Sequence, residues 1–416
     1  NMLSWENCVG QCYDGASVMS GQFSGVQARI REVAPHVVYI HCHAHRLNLV
    51  LMRTIKNIPE IAALFEKVQS IYVFLSVSSP RHELFLEAQR EDGLTVLELE
   101  RLVETRWYYW YRSVRKIKLR IHTIAVVLEA ISNQNADANA ASEAKGLLRH
   151  VTSITFLRCL IVVESLLGKI NSLSEELQSS KVNYLTATSL IQQTQSDLEC
   201  IRTHDFWKCV VDEAEKLSIK LGFVTPCDAI ASHPRRRQVL SKKLSHFFVL
   251  STTGKKDVDR EQTEEDAQCA NILFTCIDKF LYELNARFSQ NSCLLSNVSI
   301  LDPTLPSFLS PDCAVKLIQL YPTCGIDPLI IDSQLQSAKS YILSHVPTAS
   351  NVHELRKHLS ALPNAFSEVI KLIDLVLTIP VTSVENERFF SCMKRVKTYL
   401  RNTCGDERLS ALLILN

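Results

Sequence analysis

Apolar residues follow two different rhythms along this chain, and the change between them divides it. Cys8 to Tyr13 is a short apolar stretch closed by Asp14 and the turn-forming Gly15-Ala16-Ser17. Ser24 to Val33 then has helical spacing, and after Pro35 the β-branched and aromatic run His36-Val37-Val38-Tyr39-Ile40-His41 reads as a buried strand. Strand, helix, strand with a right-handed crossover predicts a parallel pair whose C-terminal ends, carrying Asp14 and His41 to His45, share one sheet edge. Open α/β sheets hold their sites at that edge.

From Arg46 onward the rhythm is helical. Leu47, Val50, Leu51, Ile61, Leu64, Phe65, Val68, Ile71, Tyr72 and Leu75 recur at three-four spacing. Helical pattern extends from about Val96 to Phe223, with the polar stretch Ser132 to Ser142 predicted as a loop. Ser232 to Asp266, with Arg235-Arg236-Arg237, Lys242-Lys243 and Gly254-Lys255-Lys256, predicts an exposed charged segment. Helix is expected again over Ala270 to Phe288 and from Ser333, Phe366 to Ile379 being the most apolar late run, while Leu301 to Pro328 reads as an irregular connection with short elements. After Pro380, Thr382 and Ser383 offer a cap for a last long helix. Its apolar face would be Val384, Phe389, Met393 and Val396, with Glu387 beside the buried side.

A length of 416 residues allows two or three domains, and 46% hydrophobic residues suffice for a sizeable core. Lys and Arg number 45 against 44 Asp and Glu, so a polyanion would have to be met by a local basic patch, not by overall charge. The 14 cysteines form no regular framework, and Cys159, Cys269 and Cys276 sit in apolar helical pattern, as reduced buried thiols of the cytosol or nucleus do. No run of about 18 apolar residues and no leader is present, so neither a membrane span nor secretion is expected. The sequence reads as a segment of something longer.

Each candidate site has a bland alternative. An Asp-Gly at a strand end is ordinarily a turn. Cys8, Cys12, His41 and His45 would make a Cys2His2 zinc set, although a strand and a helix intervene; alternatively Cys42 and His45, one helical turn apart, brace the edge beside Asp14. Thr105 to Arg112 interleaves Trp107, Trp110 and three tyrosines with Arg106 and Arg112, a pattern suited to base stacking and phosphate contact. The same residues would serve as one apolar helix face, with Trp107 and Tyr111 inward. Gly254-Lys255-Lys256 lacks phosphate-loop spacing, and no Gly-x-Ser-x-Gly elbow occurs. Glu387 and Arg388 would ordinarily form a surface ion pair, yet a carboxylate beside an apolar face wants a partner or a metal.

Four blocks, taken together, resemble a known family. Cys12-Tyr13-Asp14-Gly15-Ala16-Ser17-Val18-Met19-Ser20-Gly21, then His41-Cys42-His43-Ala44-His45-Arg46-Leu47-Asn48-Leu49, then Thr105-Arg106-Trp107, then Pro380 to Ser391 running on to Leu409 are similar to the hAT superfamily of DNA transposases. Within it the chain looks like the branch that includes host proteins of the MYM-type zinc-finger group. The resemblance implies an α/β fold that is mostly helical by residue count. An RNase H-like core would occupy 1–104, interrupted by a large all-α insertion over 105–345 with its charged loop near 232–266, and completed by a C-terminal dimerisation region over 346–416.

It further implies Asp14 and Glu387 as two of three catalytic, metal-holding acids, with Mg²⁺ or Mn²⁺ in a two-metal site, the first acid lying upstream of residue 1. Cys42 and His45 match the family's Cys-x-x-His pair, Arg388 supports the site from the same helix as Glu387, and Trp107 matches an aromatic that handles a flipped base. The implied partners are DNA and a second or further copy of the chain through its C-terminal region, in the nucleus and without a membrane. The alternative is a domesticated relative that keeps DNA association and dimerisation but no longer cuts.

Overall fold

In the computed structural model, residues 4–103, 108–134, 137–179, 182–222, 267–289, 297–303, 305–346, 351–397 and 405–414 are described. Thr105, Arg106, Trp107, the run Arg235-Arg236-Arg237 with its charged surroundings, and Tyr399 and Leu400 lie outside them. The described residues are mostly helical.

Strand β1 (Gly10–Tyr13) and strand β2 (Val38–His41) pair in parallel, with Gly10 opposite Val38 and Tyr13 opposite His41. Between them run α1 (Ser17–Ser20) and α2 (Val26–Val33). The expected strand, helix, strand unit is therefore present, and Asp14 and the His41 to His45 segment leave the same edge. Val37 and Ile40 are fully buried beneath it.

Among the described residues eight further helices follow in turn. They are α3 (His43–Lys56), α4 (Pro59–Ser76), α5 (Ser79–Glu91), α6 (Tyr108–Leu119), α7 (Ile121–Ser132), α8 (Ala138–Val151), α9 (Ile154–Leu177) and α10 (Tyr184–Cys200). A ninth, α11 (His204–Leu221), stops at Gly222, whose φ of +71° is the left-handed conformation that ends a helix cheaply only at glycine. Helix α9 is the axis of this region: α4, α6, α10 and α11 all pack on it, and 14 of its 24 residues are buried. Residues 156–163 are buried without a break, which makes that half of it a core helix rather than an amphipathic surface one.

The chain resumes with a π-helical turn, Cys269–Phe274, leading into α12 (Thr275–Phe288). Then come α13 (Pro311–Leu320), α14 (Ile331–His345), α15 (Val352–Leu359), α16 (Ser367–Thr378), α17 (Val384–Val396) and α18 (Asp406–Ile414). One contiguous hydrophobic cluster runs from Ile40 to Val381, so the helical region shares its core with the sheet. Among the described residues no single helix is long and apolar enough to cross a membrane.

Two sequence expectations need correction. Residues 94–103 are not helical but a strap over α5 and α6. The Gln89 side chain accepts from Leu97 N and donates to Leu97 O, and Arg120 donates to Thr95 O at 2.6 Å, satisfying backbone groups that a helix would otherwise pair. The loop expected to end at Ser142 ends earlier, at Asp137. Its carboxylate accepts from Asn139 N and Ala140 N and so starts α8 in the alanine-rich stretch.

Candidate functional site

The sheet edge is built first by backbone. Cys42 N–H donates to Tyr13 O at 2.9 Å, extending the ladder one step past both strands and fixing the start of α3 beside Asp14. Asp14 Oδ1 accepts from Ala16 N at 3.3 Å, an Asx turn that orients the carboxylate. Gly15 is required by close approach: a Cβ there would lie 2.6 Å from the His41 ring. His41 stacks on His45 at 5.4 Å, and its Nε2 is buried with no hydrogen-bond partner among the described residues. Burial, then the Arg46 charge, pulls His41 down to about 4, so the imidazole is neutral at physiological pH. His43 is held lower still, about 3, by the same two causes, packed between Tyr184 and Phe288.

Onto this edge docks a segment from the far end of the chain. Cys42 is fully buried; its Sγ lies 3.4 Å from Thr382 Oγ1, and Ser383 N–H donates to it at 3.3 Å. His43 N–H donates to Val381 O at 3.0 Å. These contacts join residues some 340 positions apart. The Cys12 thiol, ahead of Ser383 and Thr382, donates toward Cys42 and pulls it down to about 4 against the effect of burial, while the same contact pushes Cys12 up. Cys42 is thus a hydrogen-bonded joint between sheet and C-terminal segment rather than an exposed nucleophile.

Helix α17 starts from that joint. Thr382 Oγ1 accepts from Val384 N at 3.3 Å, whereas Ser383, the capping position, makes no side-chain cap bond. Glu387 lies in the first turn, its amide bonded to Ser383 O, about 6 Å along the axis from the joint. The structure therefore ties the elements carrying Asp14 and Glu387 to one edge. Glu387 is exposed, however, and so are Phe389 (52%) and Phe390 (56%). The apolar face expected to be covered is covered only at Val396. Arg388 pairs with Glu385 at 3.6 Å and donates to Gln178 O at 3.0 Å, the carbonyl that caps α9, where a cation also suits the helix dipole.

Arg112 is ion-paired with Glu100 at 2.6 Å, and Lys116 shares that carboxylate at 2.7 Å. Trp110 is 7% exposed against Phe65 and donates to Val103 O. Tyr111 packs against Gly168. Within the described part of the aromatic and basic run, Trp110 is a core residue and Arg112 is held in an ion pair. Arg106 and Trp107 fall outside the described residues.

Whether the acids form a metal centre is a question of donor number. Among the described residues no three His, Cys, Asp or Glu side chains converge to hold a metal ion. The Cys8, Cys12, His41 and His45 set is thus not assembled, and Asp14 with Glu387 does not make up a complete two-metal site.

Residues 356–416 match the hAT family C-terminal dimerisation region. Over its whole length the chain is 23% identical to the mouse protein named 52 kDa repressor of the inhibitor of the protein kinase, aligning with 54% of that protein. It is 23% identical to the human protein of the same name, aligning with 53% of it. The chain spans about half the length of the curated relatives it matches. Its exposed Phe389 and Phe390 fall inside the matched region, which supports dimer formation. The resemblance read from four sequence blocks is thereby met at its last block: residues 356–416 of this chain carry a match to the hAT family C-terminal dimerisation region.

Proposed function

We propose that this chain is the self-associating, DNA-associating body of a transposase-derived nuclear protein. Strands β1 and β2 are two strands of an RNase H-like sheet, with the helices from α6 to α14 inserted in it. The observation that carries the reading is the joint at Cys42. It sets the C-terminal helix and the Asp14 turn on one edge, the arrangement in which a dimer would present paired edges to one nucleic acid. The mouse and human relatives are named as a repressor, and a DNA-bound dimer is a form in which repression is exerted.

The test begins with self-association. Changing both Phe389 and Phe390 to Asp is expected to convert a dimer to a monomer in sedimentation velocity. Truncating a central interface aromatic typically costs about 2 kcal/mol or more, or about 30-fold in Kd. Duplex DNA affinity should fall with it if two edges engage one duplex. A monomeric wild-type chain, or a dimer that binds no DNA, would remove this reading.

A second reading, metal-dependent strand cleavage, is favoured by the placement of Asp14 and Glu387 alone. Phosphodiester cleavage by paired carboxylates requires bound Mg²⁺ or Mn²⁺ to neutralise them and to activate the attacking oxygen. With the donor set incomplete, no step is assigned to it. The longest available form of the protein would be assayed for nicking with Mg²⁺ and with Mn²⁺, beside Asp14→Asn and Glu387→Gln. Loss of cleavage in both variants would establish the enzyme. Absence of cleavage, or indifference to the two changes, would leave the DNA-associating dimer as the function.

A further inference from the structure

Two thiols meet where the sheet edge receives the C-terminal segment. Cys12 stands opposite Ile40 in the parallel pair, and Cys42, two residues past Ile40, projects from the same face of the ladder. The Cys42 amide keeps that ladder running through its bond to Tyr13 O at 2.9 Å, and the Cys12 thiol donates to the Cys42 sulfur. The Cys42 sulfur is therefore shared. It meets Cys12 of the sheet, and it also accepts from Ser383 N–H at 3.3 Å and lies 3.4 Å from Thr382 Oγ1. Cys8, just ahead of the strand, is engaged on its own turn, its thiol donating to Gly10 O at 3.6 Å.

The two sulfurs differ in access. Cys42 is fully buried, whereas Cys12 is half-buried at the strand end. A small oxidant therefore reaches Cys12 first, and the neighbouring sulfur that accepts its proton leaves it electron-rich. Linking the pair has a consequence that oxidation of an isolated thiol lacks. A disulfide draws both sulfurs well inside hydrogen-bond distance and removes both S–H protons. The Cys42 sulfur is pulled toward β1, and the Ser383 N–H loses the acceptor that holds the start of α17. The tie that remains is His43 N–H to Val381 O at 3.0 Å, upstream of that helix.

We propose that Cys12 and Cys42 form a reversible disulfide under peroxide, and that this bond releases the start of α17 from the sheet edge. The peroxide transfers one oxygen to the Cys12 sulfur: its O–O bond breaks, the other oxygen leaves with the thiol proton as an alcohol or water, and Cys12 becomes a sulfenic acid. The Cys42 sulfur then attacks the Cys12 sulfur. The S–S bond forms, the S–O bond breaks, and hydroxide leaves with the second thiol proton as water. Two thiols give two electrons to one peroxide, and a thiol reductant returns them. Transient bonds of this kind are the ones that occur in reducing compartments. Because α17 carries the exposed Phe389 and Phe390, its release weakens the pairing of copies; that consequence rests on the self-association reading, whereas the bond and the release do not.

The full chain is treated with hydrogen peroxide, quenched and digested without reductant. A linked pair of peptides holding Cys12 and Cys42 is expected, and dithiothreitol should separate it. Hydrogen exchange should show the amides of Ser383 and the first turn of α17 exchanging roughly 2- to 10-fold faster, the range that loss of one hydrogen bond sets, while α9 keeps its protection. Cys12→Ser should abolish both effects, and Cys8→Ser should keep both. The proposal is overturned by no link, by a link made through Cys8, or by a Cys12 to Cys42 link that leaves exchange at α17 unchanged. Loosening by peroxide in Cys12→Ser overturns it too, since Cys42 would then oxidise alone. Sedimentation of the same samples separates the two readings. A dimer that dissociates on linkage supports both, whereas a chain already monomeric before treatment removes the self-association reading and leaves the thiol pair standing.

Discussion

Replacing Phe280 by Ala is expected to lower the folding free energy by about 3–5 kcal/mol, and the loss should reach the sheet edge as well as the helical region. Phe280 is 1% exposed in α12, among the largest fully buried side chains. Removing it deletes transfer free energy and leaves a cavity that surrounding helices fill only in part. The reach of the effect follows from how α12 meets α3. The two run antiparallel: Lys279 Nζ donates to Asn57 O at 2.5 Å, Arg53 pairs with Glu283 at 3.6 Å, Arg46 Nη1 donates to Arg287 O at 2.9 Å, and Phe288 meets His43 at 5.3 Å. Contacts thus run from one end of α3 to the other, finishing beside Cys42. Urea unfolding with hydrogen exchange as a second probe checks this. Amides of α3 and of 38–42 should lose protection in proportion to those of α12. If α12 loosens while α3 and the strands keep full protection, the helical region is an independent unit standing beside the core.

How much of this was legible in the sequence depends on the range over which each signal acts. The strand pair was, because alternating β-branched and aromatic residues at 36–41 and an Asp-Gly turn at 14–15 are local statements. The sequence placed Cys42 and His45 about one helical turn apart beside Asp14. It did not show that Cys42 is fully buried and takes its partners from Thr382 and Ser383. A thiol's partners at such separation have no local signature. The error at α17 has a different cause. A helical wheel shows that Val384, Phe389, Met393 and Val396 share a face, but not whether this chain or a second copy covers it, and Phe389 proves exposed. The 94–103 strap was missed because it is held by the side chains of Gln89 and Arg120, not by its own pattern.

Gly10→Ala is expected to cost about 1–3 kcal/mol, more than an exposed strand glycine would, and to loosen the C-terminal segment selectively. A Cβ at Gly10 would lie 2.5 Å from Pro380 Cδ and 3.1 Å from its Cγ. Neither atom can swing aside, because the proline ring is closed on its own backbone. The strand is pinned from the other direction by its pairing with β2, so the segment has to move. It carries with it Val381 O, bonded to His43 N at 3.0 Å, then the Thr382 and Ser383 contacts to Cys42, and then α17 with Glu387, Phe389 and Phe390. Burial of the Cys42 sulfur without those partners adds the cost of an unmet polar group. A double-mutant cycle with Pro380→Ala isolates the contact. That substitution should recover most of the loss in the Gly10→Ala background, with a coupling energy on the order of 1 kcal/mol or more by denaturant unfolding. Additive single effects would mean that strand and segment do not touch, and the joint that sets Asp14 and Glu387 on one edge would lose its foundation.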